Sequence, residues 1–209
     1  MSNLATFDFS ARAKNTQGIT RRETPLHHVT HKNVDDAGVR FCEASFYAHL
    51  TLRGNPENAD FVAGVEKVLG TALPLTPLTS SACERYHVFW VGPDEWLILA
   101  ANLSPGEIET SLRAELTGHF SVVDVSGGQT LMTLSGRAVQ QVLQKSCGYD
   151  IEAEFPVGKV ITTHFAKATV VLHHQVEGSY FMVVRRSFAD YVWRWLVDAS
   201  DEYGLSVSE

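Results

Sequence analysis

Cysteine is scarce in this chain and cannot be paired off. Cys42, Cys83 and Cys147 are an odd set with no CxxC spacing, which excludes a disulfide framework and a four-thiolate zinc site. A reducing cytoplasm is the compartment that such usage fits. Long apolar runs are missing too. Nowhere do the roughly 18 apolar residues of a membrane span follow one another, and Met1 to Phe9 lacks the basic and apolar regions of a signal peptide. Positive charge is in deficit: 17 Lys and Arg stand against 24 Asp and Glu, a net charge of -7. That balance argues against a nucleic-acid binder held by counterion release. GxGxxG, Walker, GxSxG and HExxH patterns are all absent, so no dinucleotide, phosphate-loop, serine-hydrolase or zinc-protease fingerprint is present.

What remains is an ordinary globular composition. The chain has 209 residues, 44% of them hydrophobic and 20% charged, enough to bury a core without a metal or disulfide. Residues 1–40 read as a polar arm, rich in Thr, Asn, Arg and His, with Phe7, Phe9, Leu26 and Val29 as anchors. Such a segment has too few clustered apolar residues to offset its own ordering entropy unless something grips it. Residues 41–209 read as one α+β domain.

That domain repeats itself. Thr51-Leu52-Arg53-Gly54 recurs as Thr133-Leu134-Ser135-Gly136, and Pro74 as Pro156, 82 positions on. Further along the displacement grows to 84, pairing Trp96-Leu97-Ile98-Leu99 with Tyr180-Phe181-Met182-Val183, as one two-residue insertion in a hairpin would produce. Two pseudo-repeats follow, about 46–117 and 121–204, each reading β-α-β-β-α.

In the first repeat, Phe46 to Arg53 forms a strand and Asn55-Pro56 opens a helix that runs to Leu69, with Phe61, Val62, Val65, Val68 and Leu69 as one apolar stripe and Gly70 as its left-handed stop. Tyr86 to Val91 and Trp96 to Ala101 form a hairpin across Gly92-Pro93-Asp94-Glu95. Ser104-Pro105-Gly106-Glu107 has the form of a capping box opening a helix to about Leu116. In the second repeat, a strand at Gln129 to Leu134 leads to a helix from Arg137 to about Cys147. Strands follow at Val160 to Phe165, Thr169 to His174 and Tyr180 to Arg185. The last helix starts at Ser187 and buries Phe188, Tyr191, Val192, Trp195, Leu196 and Ala199. Two sheets, or one long one, are then covered by helices.

Few residues carry a signal for chemistry. His27, His28 and His31 sit at spacings that could place two ligands on one helix face, but Pro25, Val29 and Thr30 oppose a helix and no third ligand is evident. His173 and His174 are adjacent in a strand, so they point to opposite faces. Gly127-Gly128 leads into a strand rather than a helix N-terminus, which reads as a turn and not a phosphate loop. Asp94 and Glu95 beside Trp96 read as an exposed turn, and Asp124 as an acceptor of turn hydrogen bonds before Ser126. Cys147 lies on an apolar helix face, where an inert thiol is expected. Trp193 and Trp195 face different ways on the last helix, one inward and the other toward a covering partner. The residues thus assign no catalytic, cofactor-binding or metal-binding position.

Several runs carry a resemblance. Gly92-Pro93-Asp94-Glu95-Trp96-Leu97, Asp124-Val125-Ser126, Leu134-Ser135-Gly136, Val142 to Cys147, Asp150, Phe155-Pro156-Val157-Gly158, and Arg186-Ser187-Phe188-Ala189 with Trp193-Arg194-Trp195-Leu196 resemble the gamma-subunit family of heterotetrameric sarcosine oxidase, over most of residues 40–204. More distantly the chain is similar to the folate-binding domain of the glycine-cleavage aminomethyltransferase. The first likeness implies a cytoplasmic complex with alpha, beta and delta subunits that oxidises sarcosine to glycine, releasing hydrogen peroxide with formaldehyde or methylenetetrahydrofolate. It also implies FAD, FMN and NAD on the alpha and beta chains, zinc on delta, none on gamma, and a non-catalytic stabilising role. The second implies a competing role, a stand-alone folate-binding protein of the aminomethyltransferase type. The aspartate that such enzymes use has no counterpart between Pro74 and Tyr86.

Overall fold

Several strands of this chain are apolar on both faces, and the tertiary arrangement explains why. The computed structural model describes residues 23–208. Its strands are β1 (Val39–Ala44), β2 (Ala48–Arg53), β3 (Ser80–Ala82), β4 (Tyr86–Gly92), β5 (Glu95–Ala100) and β6 (Ser121–Asp124). They continue with β7 (Gln129–Ser135), β8 (Val160–Phe165), β9 (Ala168–Val176), β10 (Ser179–Arg185) and β11 (Leu205–Ser208). One sheet has the order β11-β1-β7-β10-β9-β8 and the other β3-β4-β5-β2-β6. The helices are α1 (Ala59–Leu69), α2 (Pro105–Glu115), α3 (Val139–Ser146), the single turn α4 (Ile151–Glu154) and α5 (Ala189–Ser200).

Three apolar layers stack these elements. On β5, Trp96 and Ile98 meet Phe61 and Val65 of α1 and Ile108 and Leu112 of α2. The alternate residues Leu97 and Leu99, with Phe89 of β4, meet Leu131, Val160, Phe181 and Val183 of the other sheet. On that sheet's far face Met132, Tyr180 and Met182 pack under Val142, Leu143, Val192 and Leu196 of α3 and α5. The order of layers is helix, sheet, sheet, helix. A strand covered on both sides reads as a continuous apolar run rather than an alternating one, as β5 and β10 do.

The repeats are interlocked. Val39 and Ser121 open β1 and β6, 82 positions apart, and each strand joins the sheet built by the other half. β1 lies antiparallel to β7, with Phe41 opposite Leu134. β6 lies antiparallel to β2, with Val122 opposite Leu52. The sequence reading began its repeats at 46 and 121 and its domain at 41, so it had no strand at Val39–Ala44 or Leu205–Ser208, and of Ser121–Asp124 it had only Asp124 as a strand end. These three are short, and their pairing partners lie far away along the chain. Phe46, read as part of a strand, is instead in the turn before β2, at a φ of 59°.

Helix starts also move. The cap of α1 is Asn58, whose side chain accepts from the N–H groups of Asp60 and Phe61, while Asn55 accepts from Glu57 N–H in the turn before it. Ser104 occupies the cap position of α2 but makes no side-chain capping bond. A 3₁₀ turn at Arg186–Phe188 delays α5 to Ala189, so the buried residues are Ala189, Val192, Leu196 and Ser200. Phe188 and Trp195, expected inside, are exposed. Gly70 ends α1 with a φ of 68°, as read.

Of the polar arm, Phe7 and Phe9 lie outside the described residues. Leu26 is buried in the core under α5, and Val29 packs beside it. Lys32 and Val207 exchange backbone hydrogen bonds at 3.1 and 2.7 Å, extending the sheet past β11.

Candidate functional site

Most of the residues singled out in the sequence have an identifiable partner among the described residues. His27 Nδ1 lies 2.9 Å from Thr24 O in a turn, and His28 Nε2 lies 3.1 Å from Asp190 Oδ1 on α5. This stretch is not helical, and among the described residues no three His, Cys, Asp or Glu side chains converge on a point that could hold a metal. The donor set does not fit a zinc ion. Asp94 accepts twice from Arg53 Nη2, at 3.2 and 3.0 Å, across the exposed turn, and Glu95 lies 3.7 Å from the same guanidinium. Trp96 is buried, its Nε1 donating to Pro74 O at 2.7 Å. Asp124 Oδ1 accepts from Ser126 N at 2.9 Å and Ser126 Oγ at 2.6 Å. The stretch between Pro74 and Tyr86 holds Glu84 and no aspartate, and its strand β3 has 3 residues against 6 in its counterpart β8.

The adjacent histidines do face apart. His174 points to the helix layer, where its Nδ1–H donates to Phe155 O at 2.7 Å and its ring stacks on Tyr180 at 4.4 Å. His173 points between the sheets, 4.6 Å from the Phe89 ring and 6.4 Å from that of His87. Ser80 Oγ donates to Gly158 O at 2.8 Å, so its contact of 2.9 Å with His173 Nε2 uses the imidazole N–H. Nδ1 is left a bare acceptor with no partner among the described residues. Burial, then the nearby His87 and His174, push His173 down to about 4, and burial lowers His87 as well. His173 is thus a core ring kept neutral.

Cys147 is an unactivated thiol. Burial pushes Cys147 up to about 12, and Cys83 Sγ lies 3.5 Å from Leu69 O. Trp193 packs on Phe41 at 4.9 Å, while Trp195, 39% exposed, donates from Nε1 to Ser146 Oγ at 3.0 Å. The outward tryptophan is thus Trp195, the one placed in the inner stripe by the sequence reading. Phe188 and Tyr191 precede it at helical spacing on the same flank, and Phe188 is exposed too.

Sequence reasoning passed over one feature, a cleft of about 660 Å³ at the end of the sandwich where the chain crosses between sheets. Phe46 and Tyr47 from the β1–β2 turn, His49 of β2, Asn102 after β5, Gln129 of β7 and Arg186 after β10 contribute to its lining. One or two residues from each of five places in the chain leave no local motif to read.

Comparison with known proteins turns this geometry into a family. Residues 53–202 match the model of the Sarcosine oxidase, gamma subunit family. This chain belongs to that family. A gamma subunit of sarcosine oxidase from Corynebacterium sp. (strain P-1) is 33% identical over 199 residues, covering 91% of this chain and 97% of the relative. One from Arthrobacter sp. is 31% identical over 200 residues. Among solved structures, a chain of the heterotetrameric sarcosine oxidase from Corynebacterium sp. U-96, in complex with pyrrole 2-carboxylate, superposes with a TM-score of 0.79 at 28% identity, over 90% of this chain and 99% of that one. The aminomethyltransferase T of the glycine cleavage system from Bartonella henselae shares the fold, with a TM-score of 0.56 at 13% identity over 82% of this chain and 48% of its own. The gamma-subunit relatives match from end to end, and the aminomethyltransferase over about half its length. Among the described residues, no helix of this gamma-family chain is long and apolar enough to cross a membrane.

Proposed function

We propose that this chain is the non-catalytic gamma subunit of a cytoplasmic heterotetrameric sarcosine oxidase, assembling with alpha, beta and delta subunits. In that assembly FAD, FMN and NAD reside on alpha and beta and zinc on delta, and the gamma chain contributes packing surface rather than a reacting group. The end-to-end match to curated gamma subunits carries this reading. The engagement of the candidate reactive groups supports its non-catalytic part: His173 and His174 are core donors, Asp124 holds a turn and Cys147 is a buried thiol. A subunit that binds only the native partner chains stabilises them by mass action.

Co-expression with the alpha, beta and delta chains tests it. The four chains are expected to co-purify in equal amounts, and omission of the gamma chain is expected to lower the yield of intact oxidase. Sarcosine turnover by the isolated chain, a stoichiometric coenzyme on it, or failure to co-elute with the other three would overturn the reading. Titration of the isolated chain with tetrahydrofolate separates it from the aminomethyltransferase-type alternative, for which saturable binding is required.

A further inference from the structure

The cleft at the sandwich end brings together matching positions of the two halves. Some of its lining residues come in pairs related by the internal repeat: Ala44 with Ser126, Tyr47 with Gln129, Ala48 with Thr130 and His49 with Leu131 at the displacement of 82, and Asn102 with Arg186 at the displacement of 84. The cleft therefore sits on the pseudo-twofold axis, between the two crossings that exchange β1 and β6. In each pair the two halves have diverged, and the divergence is chemical. One half presents aromatic and imidazole groups, Tyr47 and His49, where the other presents an amide and an aliphatic side chain. One half presents an amide, Asn102, where the other presents a guanidinium.

His49 is a buried polar group of this cleft, 2% exposed, beside the buried Thr130. Its Nδ1–H donates to Gln129 Oε1 at 3.1 Å, which leaves the lone pair on Nε2. Burial lowers the proton affinity of this ring, against the opposing pull of Gln129 and Asp124. Among the described residues His49 Nε2 has no hydrogen-bond partner, it is not one of the sealed ring nitrogens found at His87, His173 and His174, and its residue lines the cleft. Arg186 spends one donor on Glu23 O, at 3.2 Å, and its guanidinium has more to offer. Three acids lie around the cleft and each has a partner: Glu43 accepts from Thr130 Oγ1 at 2.8 Å, Asp124, whose charge acts on His49, accepts from Ser126 N and Oγ, and Glu23, itself in the lining, has Oε2 3.9 Å from His27 Nε2. Phe46, 56% exposed and held at a positive φ, supplies an apolar wall. Positive φ on a bulky residue is strained backbone, which concentrates at ligand-binding positions. A volume of this size, apolar walls and a few converging polar groups are the features of a small-molecule site.

We propose that the pseudo-twofold cleft binds a small aromatic carboxylate, its carboxylate on Arg186, its ring against Phe46 and Tyr47, and an O–H or N–H of the ligand donated to His49 Nε2. The site does not depend on the oxidase role, since its ligand is read on the full chain alone. Calorimetric titration of the 209-residue chain with 4-hydroxybenzoate, benzoate and 4-hydroxybenzamide tests each contact in turn. The first is expected to bind saturably. Benzoate, which lacks the donor, and the amide, which lacks the charge, are each expected to bind about tenfold more weakly. Arg186→Gln, an exposed change, is expected to abolish the preference for acid over amide while leaving the melting temperature in place. His49→Leu, which installs the residue found at the equivalent position of the other half, is expected to abolish the preference for the hydroxy compound. If this variant does not fold, the benzoate comparison reads the same contact in the unaltered chain. Absence of saturable 4-hydroxybenzoate binding, equal binding of acid and amide, or an unchanged preference in Arg186→Gln would overturn the proposal.

Discussion

His173 couples the stability of the molecule to pH through a single ring. Its N–H is spent on Ser80 and its bare Nδ1 has no acceptor to receive a second proton, so the folded state holds it neutral down to about pH 4. The unfolded chain takes up that proton near the ordinary imidazole value of about 6.5. Between those values the unfolded state binds more protons, so stability is full above about 6.5 and falls as pH drops toward 4. For His173 alone the loss is about 3 kcal/mol, and His87 shifts in the same direction. Urea midpoints measured from pH 7.5 to 4.5 are expected to fall, and His173→Gln is expected to flatten that slope. An unchanged slope in the variant would remove His173 from the account.

The repeated glycine of Thr-Leu-x-Gly serves a different need in each half. At Gly136, φ is 127° and a Cβ would lie 2.4 Å from the carbonyl oxygen of Gly38, because β1 crosses closely there. At Gly54 a Cβ would meet the Phe61 ring at 2.3 Å. Gly136→Ala, which strains the backbone and forces a backbone contact, is expected to cost about 2–4 kcal/mol. Gly54→Ala, which asks one core ring to move, is expected to cost about 1–3 kcal/mol. Thermal denaturation of the pair reads the difference; equal losses would contradict the two separate reasons. The motif was visible in the sequence, but its causes were not, since Gly38 is remote from Gly136 along the chain.

At the scale of the element, the capping residues make a sharp comparison. Asn58 satisfies two N–H groups of α1 and Ser104 none of α2. Asn58→Ala is therefore expected to cost about 1 kcal/mol, and Ser104→Ala less than about half of that. Guanidinium unfolding of the two variants side by side checks it, and a larger loss from Ser104→Ala would refute it. Stripes and strands were legible where many residues agreed: the apolar face of α3, the β4–β5 hairpin and the run β8, β9, β10 all stand where the periodicity placed them. Helix starts were less so. Asn55 and Asn58 offer the same side chain three residues apart, and the turn geometry chooses between them. On α5, apolar residues flank the true stripe on both sides, so Trp193 and Trp195 exchange roles once the 3₁₀ turn delays the start of the helix.

For the whole molecule, the exchange of β1 and β6 means that neither half completes its own sheet. Residues 46–117 and 121–204 expressed separately are expected to remain unfolded, whereas the full chain is expected to unfold in one transition seen alike by circular dichroism and by tryptophan fluorescence. Trp96 and Trp193 report on opposite halves, so two separated transitions would disprove the interlock.

The duplication, the α+β class and the family likeness are properties of local patterns and of spacing, and they stand in the order of residues alone. The exchange of strands, the stacking of the two sheets and the cleft between the crossings arise from contacts between segments some 80 residues apart. No short window of sequence contains both partners of such a contact. The choice of partner is made by the apolar surface that closes when the two sheets meet, which only the folded chain brings together.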